Sequence, residues 1–157
     1  MNRENALLEL SIMNAESASM DFTSILVDLA NRNIPMEIIT RLEELWTKTK
    51  IIAGEIVHIG RIIVEKILTF IQDNPNMAIG LAIGGCLGVL TSMIPFIGPL
   101  LAPLVTAVGV AWGIYVGRTL DSEGSNGSPM AIAIEAARLF LNLFIDIFDA
   151  LRDYWTR

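Results

Sequence analysis

The stretch that decides the fold runs Met77-Ala-Ile-Gly80-Leu-Ala-Ile-Gly84-Gly-Cys-Leu-Gly88-Val-Leu-Thr-Ser-Met-Ile94, then Pro95-Phe-Ile-Gly98-Pro99, then Leu100-Leu-Ala-Pro103-Leu-Val-Thr-Ala-Val-Gly109-Val-Ala-Trp-Gly113-Ile-Tyr-Val-Gly117. It lies within 44 consecutive residues, between Asp73 and Arg118, that carry no charged side chain. Glycines recur four apart in two rows, Gly80, Gly84, Gly88 and Gly109, Gly113, Gly117. On a helix such a row forms one flat face where a second helix can approach backbone to backbone, the usual mode of helix adhesion in lipid. The rows therefore mark these six glycines as expected helix-packing positions.

Pro95, Gly98 and Pro99 interrupt the run, because proline removes a donor and clashes with the preceding turn. Each half then has 18 residues, Met77 to Ile94 and Leu100 to Gly117. At 1.5 Å per residue each is about 27 Å long, close to the roughly 30 Å of a bilayer core. The pattern predicts a transmembrane hairpin over 74–117 with its tip at Pro95, Gly98 and Pro99. Arg61 and Lys66 precede it and Arg118 follows, whereas the tip has no Lys or Arg, so both ends are expected on the cytoplasmic side. Trp112 and Tyr115 are placed to hold the exit of the second half at an interface. The competing arrangements are a single broken span and a hairpin buried inside a soluble bundle.

The rest of the chain is read around that hairpin. Residues 1–35 form an N-terminal arm, with Ala6 to Met13 apolar on one side, and a short helix capped by Asp21 or Thr23 that ends near Ala30. Pro35 opens the next helix, and no strong breaker follows before Asn74-Pro75, which predicts one long amphipathic helix over 36–73. In its second half Glu55, His58, Arg61, Glu65, Lys66, Thr69 and Gln72 fall in an arc of roughly 140° and the remaining surface is apolar. Residues 118–129 read as a Gly/Ser-rich linker. Residues 130–157 form a C-terminal amphipathic helix whose Glu135, Arg138, Asn142, Asp146, Asp149 and Asp153 lie within about 80°.

Composition limits the function. Hydrophobic residues make up 53% of the 157 and mean hydropathy is +0.55, more apolar than a soluble domain of this size, whose surface must dominate. Seventeen acidic against 11 basic residues give a net charge of −6, and no basic cluster is longer than the Lys48, Lys50 pair. Nucleic-acid binding and a polybasic lipid patch are both disfavoured. One histidine, His58, and one cysteine, Cys86, supply too few ligands for an ordinary metal site, and no catalytic signature is present. No enzyme activity and no cofactor are expected. The N-terminus lacks the apolar core of a secretory signal.

The expectation is an all-α, membrane-associated protein with a long amphipathic helix, a Gly/Pro-rich hydrophobic hairpin and a C-terminal amphipathic helix. In layout, though in no motif, it resembles small bacterial membrane effectors and colicin-like pore-formers. The resemblance implies a self-associating pore or permeability effector at a bacterial inner membrane, a toxin or defence effector. Its partners would be the bilayer and further copies of itself, with a protein partner taken up through residues 36–50. Asn142, Asp146 and Asp149 would line the pore, since rings of carboxylates select cations in channels. The alternatives are a non-conducting anchor or scaffold and a soluble helical bundle with a buried hydrophobic hairpin.

Overall fold

The computed structural model describes residues 1–114, 116 and 128–155. Its elements are α1 (Arg3–Ser17), α2 (Phe22–Asn31), α3 (Met36–Trp46), β1 (Lys50–Ile52), β2 (Glu55–Val57), α4 (Ile59–Asp73), α5 (Ile79–Met93), a 3-10 turn (Pro95–Ile97), α6 (Gly98–Trp112), α7 (Pro129–Phe140), α8 (Asn142–Ala150) and α9 (Arg152–Trp155). The class is all-α, as the sequence implies; the one sheet among the described residues is a two-stranded hairpin. Gly117 and the linker stretch 118–127 lie outside the described residues.

The N-terminal arm is a full helix. Asn2 caps it by accepting the Asn5 amide at 2.8 Å, and Ala6, Leu10, Met13 and Ser17, spaced three or four apart, are buried as it packs on α4 and α8. Asp21 caps α2 through the Thr23 amide at 3.2 Å, and the Pro35 carbonyl receives the first amides of α3, from Ile38 and Ile39.

The single helix expected over 36–73 is instead two helices joined by a β-hairpin. Helix α3 stops at Trp46, the strands pair as Lys50↔Val57, Ile51↔Ile56 and Ile52↔Glu55, and α4 starts at Ile59. Ala53 and Gly54, at φ 52° and 83°, make the two-residue turn with both residues left-handed that matches strand twist. Folding back also satisfies burial: α3 sets Ile38, Ile39, Leu42 and Leu45 against α6, while α4 packs on α3 and α5. A straight rod would leave one of these apolar faces in water. Asn14 of α1 fixes the far end of the hairpin, its Nδ2 donating to the Ile56 carbonyl at 3.0 Å and its Oδ1 accepting the His58 amide at 2.8 Å. At the crossing of α3 and α4, the Gly60 amide donates to the Lys48 carbonyl at 3.1 Å, and a Cβ at Gly60 would overlap the Leu45 carbonyl oxygen. Farther along α4, Glu65 is half-buried; that burial raises its pKa, with Lys66 opposing and Glu16 of α1 adding to the rise.

The C-terminal helix is likewise segmented. Ser128 caps α7 through the Ala131 amide at 3.1 Å, with Pro129 at the first helical position. Leu141 and Leu151 depart from helical geometry but still donate to Ala137 and Ile147, so the hydrogen-bond ladder continues through both joints.

Helix α5 occupies the centre. Every residue from Ala82 to Leu90 is buried, enclosed by α4, α6 and α7. It is 15 residues long, shorter than the expected Met77 to Ile94, because Met77 and Ala78 precede it and Ile94 turns out of the helix at φ −130°.

Candidate membrane-facing surface

Helix α6 follows α5 through the tip, where Pro95 starts the 3-10 turn and Gly98 and Pro99 begin the helix. One side of α6 is closed by α3 and α5, burying Leu101, Leu104, Ala107 and Val108. Its other side is open. Pro99, Ala102, Pro103, Thr106, Val110 and Gly113 are all exposed, and at 100° per residue they fall within an arc of about 100°. Together with the tip, Pro95–Trp112 gives 18 residues at mean hydropathy 1.6, of which 28% are buried, the one helix among the described residues long and apolar enough to cross a membrane. A core helix of similar composition would be mostly enclosed. This one is mostly not.

The glycines occupy different settings. Beside Gly80 lie the Trp112 ring and Ile114, and beside Gly84 lie Ile114 and the Met130 methyl; a Cβ at either would come within 3.1 to 3.2 Å of a side-chain atom. Gly88 is buried and Gly109 half-buried. Gly113 departs from the helix-packing expectation. At φ +70° it terminates α6, its amide donating to the Gly109 carbonyl at 2.9 Å, and a Cβ there would meet nothing within 4 Å. It is a left-handed helix cap, the position for which glycine is preferred because a side chain would be strained. A close approach of α5 to the backbone of another helix is at Gly85, where a Cβ would lie 3.1 Å from the Ala133 carbonyl carbon and oxygen of α7.

Asn142, Asp146 and Asp149 are exposed on the outside of α8, with Asp149 ion-paired to Arg152. Glu135 and Arg138 form a looser pair at 4.0 Å on α7. Arg61 of α4 stands over the Trp46 ring, 5.5 Å from its centroid.

The tip itself is not without cations. An open groove of about 460 Å³ lies beside it, lined by Lys48, Thr49, Lys50, Ile59, Phe96, Pro99, Leu100, Pro103 and Trp155. Trp155 is held there by Phe96 and Phe148, at ring separations of 5.4 and 6.1 Å, and Lys50 Nζ sits 5.1 Å from its centroid. The absence of Lys and Arg from the tip sequence thus misstates its charge, since β1 brings two lysines to it. Residues 36–50, expected to recruit a partner, include α3 with its buried apolar face and these lysines. Tyr115 lies outside the described residues, and Trp112 is half-buried against Gly80.

Comparison with protein-family models, curated proteins and solved structures gives no match.

Proposed function

We propose that the protein is a membrane-active helical bundle. It binds a bilayer through the outer face of α6 and then releases the α5–α6 hairpin into it, raising permeability as copies self-associate. The observation that carries this reading is the open outer face of α6: uncharged and exposed along Pro99, Ala102, Pro103, Thr106 and Val110, it presents the kind of contiguous surface that marks an interaction or membrane site. Helix α5 would follow as the enclosed partner helix of the hairpin, too short alone at 15 residues but long enough beside α6 to enter a thinned or partly spanned bilayer. Copies meeting along α8 would bring Asn142, Asp146 and Asp149 around a water path, where carboxylates favour cations. A toxin or defence effector acting on the inner membrane of its own host fits this arrangement.

The test places an environment-sensitive fluorophore on Val110→Cys in a Cys86→Ala background, Val110 being 69% exposed. With vesicles the emission should shift to the blue and be quenched by nitroxide-labelled lipid, and entrapped dye should escape. Water-like emission in the presence of vesicles would remove the α6 reading. Quenching without dye release would leave a non-conducting anchor.

A further inference from the structure

The groove at the hairpin tip joins two chemistries that the rest of the surface keeps apart. It is lined by the apolar side chains of Ile59, Phe96, Pro99, Leu100, Pro103 and Trp155 and by Lys48, Thr49 and Lys50. In a chain of net charge −6 these are the two closest-spaced lysines. Neither takes part in an ion pair among the described residues. Lys50 is steered onto the Trp155 face and Lys48 is held by its own backbone, which donates to Leu45 and accepts from Gly60. Pro99 and Pro103 belong at once to the groove wall and to the exposed face of α6.

We propose that this groove is a headgroup site for an anionic phospholipid, with Lys48, Lys50 and Thr49 receiving the phosphate and Pro99, Pro103 and Trp155 receiving the start of the acyl region. The proposal rests on the reading that α6 faces lipid. Charge complementarity selects the headgroup, because two lysines converge on a groove in an otherwise acidic molecule. Continuity selects a lipid, because the apolar wall leads without a polar break onto the surface that would lie in the bilayer. A built site of this kind binds single headgroups and does not require the long basic run that a polybasic patch uses. An aromatic ring beside the lysine suits the interface, where amphipathic rings sit at headgroup level.

The experiment measures partition of the full chain onto phosphatidylcholine vesicles and onto vesicles with 30% phosphatidylglycerol, for the native protein, Lys48→Gln with Lys50→Gln, and Lys48→Arg with Lys50→Arg. The native protein should prefer the anionic vesicles by about tenfold to thirtyfold, the value for two cations near a charged surface. The glutamine pair should lose that preference and keep its binding to phosphatidylcholine; the arginine pair should retain the preference. Equal binding of the native protein to both vesicles, or an undiminished preference in the glutamine pair, overturns the headgroup site and leaves the α6 reading standing. No binding to either vesicle overturns both. Calorimetric titration of the native protein and of the glutamine pair with inorganic phosphate gives the remaining arm: saturation at micromolar phosphate that the glutamine pair loses would assign the groove to a soluble anion and overturn the lipid proposal, whereas no binding supports it.

Discussion

Glycine is needed at some positions here and not at others, and the difference is set within a few ångströms of each Cα. At Gly60 a methyl group would overlap the Leu45 carbonyl oxygen, a backbone atom that cannot rotate away. Gly60→Ala is therefore expected to lower stability by about 3 kcal/mol, the upper end of ordinary overpacking. At Gly98 the backbone is right-handed, φ −50°, and nothing lies within 4 Å. Pro99 follows, and its ring disfavours this right-handed conformation for a residue with a Cβ, which opposes the entropy that alanine saves in the unfolded chain; Gly98→Ala is expected to change stability by less than about 1 kcal/mol. Urea denaturation of the two variants separates them, and equal midpoints would refute the close approach at Gly60. The spacing of four in the sequence selects Gly80, Gly84 and Gly88 and passes over Gly85 and Gly60. A four-residue repeat cannot separate Gly84 from its neighbour when α5 is covered on all sides, since both faces then need small residues. Gly60 stands alone in its helix, with no repeat to reveal it.

At the scale of elements, the misread segment is Lys50-Ile-Ile-Ala-Gly-Glu-Ile-Val57, and the reason is physical. Its strands are three residues long, and Ile51 and Ile56, paired across the hairpin, both face outward at 66% and 60% exposure. The inside-outside alternation by which a strand is recognised is absent. A helical projection at 100° per residue then absorbs Glu55 and His58 into an apparently continuous polar face. The readable signal was β-branched pairs flanking a small-residue dipeptide ending in glycine. Alanine is a poor first residue for this turn, because at φ 52° its Cβ crowds the carbonyl at a cost of about 1 kcal/mol. Ala53→Asn should recover up to about 1 kcal/mol and slow hydrogen exchange at the hairpin amides, as expected for the residue favoured in this turn. Faster exchange in that variant would mean that the left-handed pair is not what holds the hairpin. The hairpin matters beyond itself, because β1 carries Lys50 to the groove beside the tip.

For the whole molecule the question is how a buried α5 reaches lipid. The uncharged run was legible at once as apolar helix, but composition is silent on which half is enclosed, since enclosure depends on partners distant in sequence. Here α3 and α5 shield one side of α6, while α4, α6 and α7 enclose α5 from Ala82 to Leu90. Release of the hairpin therefore requires α5 to part from α7, and the two come close where Gly85 lies against Ala133. A Cβ built at Gly85 lies 3.2 Å from the Ala133 Cβ, a little inside the roughly 3.5 to 4.5 Å that a disulfide spans, so a small outward shift of α7 accommodates one. Gly85→Cys with Ala133→Cys, in the Cys86→Ala background, should cross-link within the chain on oxidation. The oxidised protein should still partition onto vesicles, because the outer face of α6 is untouched, and should release no entrapped dye. Reduction should restore release to the level of the cysteine-free parent treated in the same way. Full dye release from the oxidised form would show that permeability arises with α5 still seated against α7, and would place the membrane action in α6 and the exposed stripe of α8 alone.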